Sequence, residues 1–301
     1  MRNIKGRVIA LGFFDGVHLG HRALIEKTIE RAAERGITPS VISFDAHPSS
    51  MTGDKPVPLI NSSIDRADMF RRYFGIEDTI FLHFDRDLMS MEWYSFVDWL
   101  TEGFGARHLV AGYDFRFGFH GAGDSERLVK KCAQLGIGCD IVPKVTLGGI
   151  TISSTYIREL LTSGRVEEAN RFMGHPHTLT DTVRHGFRLG SALGIPTINM
   201  QFGEGILQPA RGVYATKVYL ENGGIYTAVT NIGVRPTVSG GNTVSVESHI
   251  LDYSGNLYGR RVRLEFFKYL RPEVKFADVT ALRTQVEKDE NAAREFFESI
   301  K

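Results

Sequence analysis

The sequence predicts an α/β protein of two domains, an N-terminal doubly wound parallel sheet followed by a C-terminal antiparallel β-barrel with a terminal helix. Three observations predict it. From position 7 to about 143, short apolar runs alternate with amphipathic segments, the pattern of repeated strand–helix units. Beyond about 177 the chain changes to segments rich in Val, Ile, Tyr and Thr, separated by turn sequences. At 301 residues the chain is long for one core and ample for two.

The first run, VIAL at 8–11, is apolar throughout, as in a strand buried on both faces. Leu24, Ile25, Thr28, Ile29, Ala32 and Ala33 then recur at helical spacing, and Gly36 stands where a left-handed C-cap belongs. Strands are expected at 41–44, 80–84, 108–111 and 139–142, with helices at 64–73, 92–103 and 126–135 between them. Two short helices follow at 155–161 and 166–173, stopped by Gly174 and Pro176. Strands are then expected at 178–183, 213–220, 225–232, 244–251 and 261–267, and a closing helix at 276–299. Turns such as Glu221-Asn222-Gly223-Gly224 separate several of them. The domains are read as 1–177 and 178–301.

Basic and acidic residues nearly cancel, leaving a formal charge of +1. That excludes a chain-wide electrostatic footprint for nucleic acid or anionic membrane, so any anion needs a local site. Nothing approaches a membrane span. Cys132 and Cys139 read as buried free thiols of a reducing compartment, and a cytoplasmic protein is expected. Oligomeric state is not legible.

In sheets of this kind ligands bind at the carboxyl ends of strands, so the loops after Leu11, Phe44 and Ala111 are the places to look. The first reads GFFDGVHLGH, Gly12 to His21. Gly12 lets the chain leave the strand close to a ligand, and Gly20 sits where a helix begins, with unpaired N–H groups suited to an anion. His18 and His21 are three apart, so their rings share a side of a helix start. Metal ligation, phosphate binding and a plain tight turn all remain open on these residues. Ser153, Ser154 and Thr155 precede a helix as caps or as ligand donors, and Arg158 adds a planar fork suited to phosphate. Asp114 and Arg116 lie among aromatics between glycines in a strand-end loop.

In the second half, 185–199 is glycine-rich and ends in Gly194-Ile195-Pro196-Thr197-Ile198-Asn199. In an extended chain Thr197 and Asn199 share a face; they are turn residues or oxygen donors for a hard cation. Glu247 occupies the strand face opposite Val244, Val246 and Ile250, either facing solvent or acting as a base.

The opening stretch resembles the HxGH nucleotidylyltransferases, and FFDGVHLGH is similar to the adenylyltransferase domain of the bacterial bifunctional riboflavin kinase/FAD synthetase family. Phe44-Asp45-Ala46-His47-Pro48 resembles that family's Phe-x-Pro-His-Pro loop, with Ala46 in place of the proline. Residues 112–118, GYDFRFG, match its GxDFRFG, and Ser153 to Arg158 match its SSTxIR. The following His120-Gly121-Ala122-Gly123-Asp124 is less basic than is usual there. In the second half, 185–199 resembles the riboflavin kinase signature ending in GxPTAN, with Ile198 in place of Ala, and 246–252 resembles VExHxxD. Residues 231–237, 252–259 and 270–273 also look like family landmarks.

The resemblance implies two ATP-dependent reactions, riboflavin to FMN in the barrel and FMN to FAD in the N-terminal domain. It implies His18, His21 and Arg158 as the groups acting on phosphate, with Gly12, Phe13, Gly20, Ser154 and Thr155 around the nucleotide. Phe44, His47, Asp114 and Arg271 fall on the flavin side. In the kinase half it implies Gly186, Gly194, Pro196, Thr197 and Asn199 for nucleotide, Thr197 and Asn199 for Mg²⁺, and Glu247 as catalytic base. Expected ligands are ATP, Mg²⁺, riboflavin, FMN and FAD, with no nucleic acid and no membrane. Another HxGH enzyme, such as a pantetheine-phosphate adenylyltransferase, leaves the barrel unexplained. A non-catalytic flavin-binding regulator leaves the retained polar residues unexplained.

Overall fold

The computed structural model describes residues 6–45, 57–186, 195–236 and 242–300. These fall into two compact units, Met1–Ser154 and Thr155–Lys301.

In the first unit, five strands form one parallel sheet: β1 (Arg7–Leu11), β2 (Thr38–Phe44), β3 (Asp78–Leu82), β4 (Ala106–Gly112) and β5 (Gly138–Val142). Their order is β3-β2-β1-β4-β5, which reverses direction at β1. Helices α1 (Leu19–Arg35), α2 (Ser63–Phe74), α3 (Arg86–Ser90), α4 (Trp93–Gly103) and α5 (Ser125–Gln134) connect them. The continuous apolar run of β1 has a simple cause. Val8 and Ala10 pack under Ile25 of α1 and Met69 and Phe70 of α2, whereas Ile9 and Leu11 face Val97 and Leu100 of α4 and Leu128 of α5. Each of the larger side chains, Val8, Ile9 and Leu11, contributes about 1.5–3 kcal/mol on burial, so both faces of β1 are fixed by composition.

Strand β3 begins two residues earlier than the apolar run suggests. The Asp78 carboxylate at its start accepts hydrogen bonds from Arg7 Nε and Ser40 Oγ, both at 2.6 Å, which ties a polar residue into the sheet edge. A two-stranded hairpin, β6 (Thr146–Leu147) and β7 (Ile150–Thr151), turns on Gly148 and Gly149, both at positive φ. Its strands are too short to show a periodicity in sequence. Cys132 and Cys139 are free thiols, the first buried.

Helix α6 (Ser154–Thr162) crosses the division between the units, and α7 (Val166–Met173) follows. On α7, Asn170 donates from Nδ2 to the Phe266 carbonyl at 2.8 Å and accepts the His177 N–H at 2.8 Å. The second unit's sheet contains β8 (His177–Thr182), β9 (Thr197–Met200), β10 (Gly212–Leu220), β11 (Ile225–Pro236), β12 (Asn242–Ile250) and β13 (Arg261–Arg271). All pairs are antiparallel, in the order β8-β13-β10-β11-β12-β9. One further bridge, Arg184 to Asn199 with a 2.9 Å N–H to carbonyl bond, joins the chain just past β8 to β9 and closes the ring. Inside lie Tyr214, Val218, Ile232, Val246, Leu264 and Phe266, all buried. A chain of buried hydroxyls, Thr216 to Thr230 at 2.7 Å and Thr230 to Ser248 at 2.8 Å, satisfies the polar groups among them. Helix α8 (Val279–Ser299) lays Ala293 and Phe297 against Val213, Ala215 and Val229 on the outer face. It starts at the Asp278 cap, whose carboxylate accepts the Ala281 N–H at 2.8 Å, three residues later than composition suggests.

Candidate active sites

The loop after β1 is a tight coil. Phe14, Gly16 and Val17 all have positive φ, 51°, 79° and 37°. Two of these are not glycine, so the turn holds backbone strain of the kind that surrounding structure must enforce. The enforcement is visible. Phe14 is fully buried, edge-on to Phe70 and to His21. Asp15, 2 % exposed, accepts the N–H groups of Ile60 at 2.7 Å and Asn61 at 3.4 Å, and its carbonyl accepts Ser154 Oγ at 2.9 Å.

His18 is the N-cap of α1, and its Nδ1 accepts the His21 N–H at 3.2 Å. In the neutral ring this leaves the proton on Nε2 as the donor. The same bond removes Nδ1 as a metal ligand, which weighs against the metal-pair alternative. The two imidazoles stack with centroids 3.5 Å apart. Burial, the adjacent His18 and the Arg66 charge hold the His21 pKa well below the ordinary histidine value. Both rings cannot be cations at that spacing, so the pair offers hydrogen-bond donors without a double positive charge. Gly20 leaves room for the His18 ring: a Cβ there would lie 3.1 Å from it.

Phe13 and Phe44 stack at 5.1 Å, and Phe84 meets Phe44 edge-on at 5.8 Å. Phe44 is only 7 % exposed, so most of its ring is core. Beneath them lies Arg66 of α2, fully buried, with its guanidinium on the carbonyls of Phe13 and Phe44. Asp114 stands over Gly112 at the end of β4, where a Cβ would be 3.1 Å from its carboxylate. The residues that follow are a small hairpin: Phe117 pairs with Gly123, Arg116 lies 3.6 Å from Asp124, and Asp124 caps α5 through the Arg127 N–H. Gly123 and Asp124 thus have structural duties in the less basic loop. His47 lies outside the described residues.

In the barrel, register places Asn231, Glu247 and Asn199 side by side across β11, β12 and β9. Directly paired residues share a sheet face with Cβ atoms about 4.5–5.5 Å apart. Ile198 and Val246 point the other way. Thr197 pairs with His249 on the same face, and His249 Nδ1 donates to the Pro196 carbonyl at 2.8 Å, pinning that turn to β12. Gly186 packs on the Asn199 amide so closely that a Cβ would lie 2.5 Å from its Nδ2. Gly233 likewise admits the Glu273 carboxylate, which accepts from Asn231 Nδ2 at 3.2 Å. Gly194 lies outside the described residues.

Against this geometry, residues 1–156 match a family model described as FAD synthetase, and residues 173–297 match one described as riboflavin kinase. The chain belongs to the bifunctional riboflavin kinase/FMN adenylyltransferase family. The relative of that description in Listeria monocytogenes is 36% identical, covering 98% of this chain and 93% of its own. The Escherichia coli K12 relative is 34% identical over 97% of this chain and 93% of its own. A crystal structure described as a macrolide-efflux protein from Streptococcus pneumoniae superposes with a TM-score of 0.84 at 27% identity, covering 96% of this chain and 94% of that one. Among the described residues no helix is long and apolar enough to cross a membrane.

Read as a member of this family, the chain assembles two groups. His18, His21, Gly12, Phe13, Gly20 and Ser154 gather at the loop after β1, while Gly186, Pro196, Thr197, Asn199 and Glu247 gather on one barrel face. Thr155 and Arg158 lie on α6, beyond the division between units. Arg271 forks onto buried Asp289 of α8 at 2.7–3.1 Å, so its guanidinium is already held in an ion pair. Sequence reasoning missed Arg66, and it gave no individual role to Asp15 or Asn231, which lie inside stretches it quoted. The signal for Arg66 was available: it stands three and four residues before Met69 and Phe70, on the apolar stripe of its helix.

Proposed function

We propose that the chain makes FMN from riboflavin and ATP in its C-terminal domain, 178–301. It then makes FAD from FMN and a second ATP in its N-terminal domain, 1–177. The observation that carries this reading is that one chain builds both a capped His-Gly-His turn at a sheet switch point and an Asn–Glu–Asn row on a barrel.

In the second step an FMN phosphate oxygen attacks the α-phosphorus of ATP, and pyrophosphate leaves. The phosphomonoester is largely ionised near neutrality, with a second pKa of about 6, so no base is needed. His18 donates from Nε2 and His21 acts as a neutral ring; the resemblance assigns the cationic share to Arg158. Alignment and charge stabilisation do the rest. In the first step the ribityl hydroxyl must lose a proton, which passes to Glu247 as its oxygen attacks the γ-phosphorus and ADP leaves. The Thr197 hydroxyl and Asn199 amide oxygen are hard donors suited to Mg²⁺. Mg²⁺ supplies charge neutralisation at the phosphates when bound. Phe44, His47 and Asp114 are placed on the FMN side and Arg271 near riboflavin, by the resemblance. The enzyme works in the cytoplasm.

Purified protein incubated with riboflavin, ATP and Mg²⁺, with flavins separated chromatographically, gives FMN and then FAD. Formation of neither refutes the reading; FMN alone leaves only the kinase.

A further inference from the structure

We infer that Arg66 is a positioning residue of the adenylyl-transfer site, setting the distance between its nucleotide-side and flavin-side loops. The inference rests on the N-terminal activity proposed above. Arg66 reaches from α2 under the ends of two neighbouring strands. Nη1 donates to the Phe13 carbonyl at 2.6 Å and to Ser43 Oγ at 2.7 Å, and Nη2 donates to the Phe44 carbonyl at 2.8 Å. Ser43 Oγ donates in turn to the Phe13 carbonyl at 2.9 Å. One planar fork therefore grips the first residues beyond β1 and the last residue of β2. The rings of those same two residues, Phe13 and Phe44, stack above it. The Phe81 ring lies against the guanidinium at 5.0 Å.

What makes this more than packing is its electrostatic character. Arg66 has 0 % exposure, yet among the described residues its hydrogen-bond acceptors are two carbonyls and a hydroxyl, none of them a carboxylate. Asp15 and Asp45 act on it from farther away. Burying a charge on neutral dipoles is costly, and an apolar side chain of similar volume would fill the space without that cost. An apolar residue could hold neither carbonyl, a glutamine amide has a single two-donor nitrogen in place of the wide fork, and a lysine ammonium lacks the planar fork. Reacting groups misplaced by about 1 Å lose on the order of 100-fold in rate, so a device that fixes this spacing acts on turnover more than on binding.

The test uses Arg66→Lys and Arg66→Gln in the full chain. Both tryptophans, Trp93 and Trp99, lie on α4 of the first unit, so their emission reports the folding of that unit alone. Expected for each variant, at a temperature where tryptophan emission shows it folded, is a kcat for FAD formation from FMN at least about 10-fold lower, with KM for FMN and ATP within about threefold. FMN formation from riboflavin stays within about twofold in the same samples. FAD formation within twofold of wild type in both variants overturns the inference. So does a loss that merely tracks the fraction unfolded by tryptophan emission. A wild-type chain that forms no FAD instead removes the underlying reading, a result independent of either variant.

Discussion

Replacing His177 with phenylalanine isolates the acid sensitivity of the barrel. His177 begins β8 at 0 % exposure, between Phe202 and Phe266, with neither ring nitrogen hydrogen-bonded among the described residues. Burial, with a smaller contribution from neighbouring His175, pushes its pKa from 6.5 down to about 3. The folded ring thus resists a proton that the unfolded ring takes up below 6.5. This effect is absent above that pH and removes stability as pH falls toward 3. Each pH unit in that window costs about 1.36 kcal/mol, so the loss is about 2 kcal/mol by pH 5 and about 5 kcal/mol by pH 3. Phenylalanine cannot titrate. It also removes two unpartnered polar atoms, each worth about 1–3 kcal/mol, against an overpacking cost of similar size, so stability at pH 7 stays within about 1–2 kcal/mol of wild type. Denaturant unfolding followed by far-ultraviolet circular dichroism, repeated from pH 7.5 to 5, is the assay, because every other titrating group is common to both proteins. Expected is a variant that gains about 2 kcal/mol relative to wild type between pH 7 and pH 5. Parallel stability curves over that range refute a buried, neutral His177.

Three further outcomes follow from the sites. Glu247→Gln lowers FMN formation by at least about 100-fold and leaves FAD formation from supplied FMN unchanged; loss of both in a folded protein contradicts separate sites. Gly186→Ala drives a methyl into the Asn199 amide, and steady-state kinetics show FMN formation falling at least about 10-fold with the FAD step intact. Gly20→Ala separates stability from activity. Alanine favours the helix by up to about 1 kcal/mol, yet it crowds the His18 ring, so the melting temperature holds or rises while FAD formation falls severalfold.

The alternation of apolar runs and amphipathic segments was legible because it follows directly from β1 packing on both faces. The placing of the His18–His21 turn at a strand end and helix start was legible, and register bears out the shared face of Thr197 and Asn199. Less could be read where polarity serves the fold. Strand β9 has four residues and hides inside a turn motif, since its pairing comes from β12 and not from its own periodicity. Asp78 extends β3 through partners that are distant in sequence. Phe44 and Arg271 show the converse. Both fall on motif positions, yet one is mostly core and the other is committed to Asp289, so a motif letter alone does not say how much of a side chain is left for a ligand.

The Arg184–Asn199 bridge has a thermodynamic consequence. It shuts the barrel at Asn199, so if the proposed metal and phosphate role of that residue holds, ligand capture and ring closure draw on one equilibrium. A four-residue strand fastened by β12 on one side and a single bridge on the other is the kind of element that opens locally first. MgATP that grips only the closed form slows that opening by its saturation of the site, about 100-fold in protection at 100 times its dissociation constant. Amide exchange at 197–200 would then act as a nucleotide gauge for the kinase half, readable without any turnover.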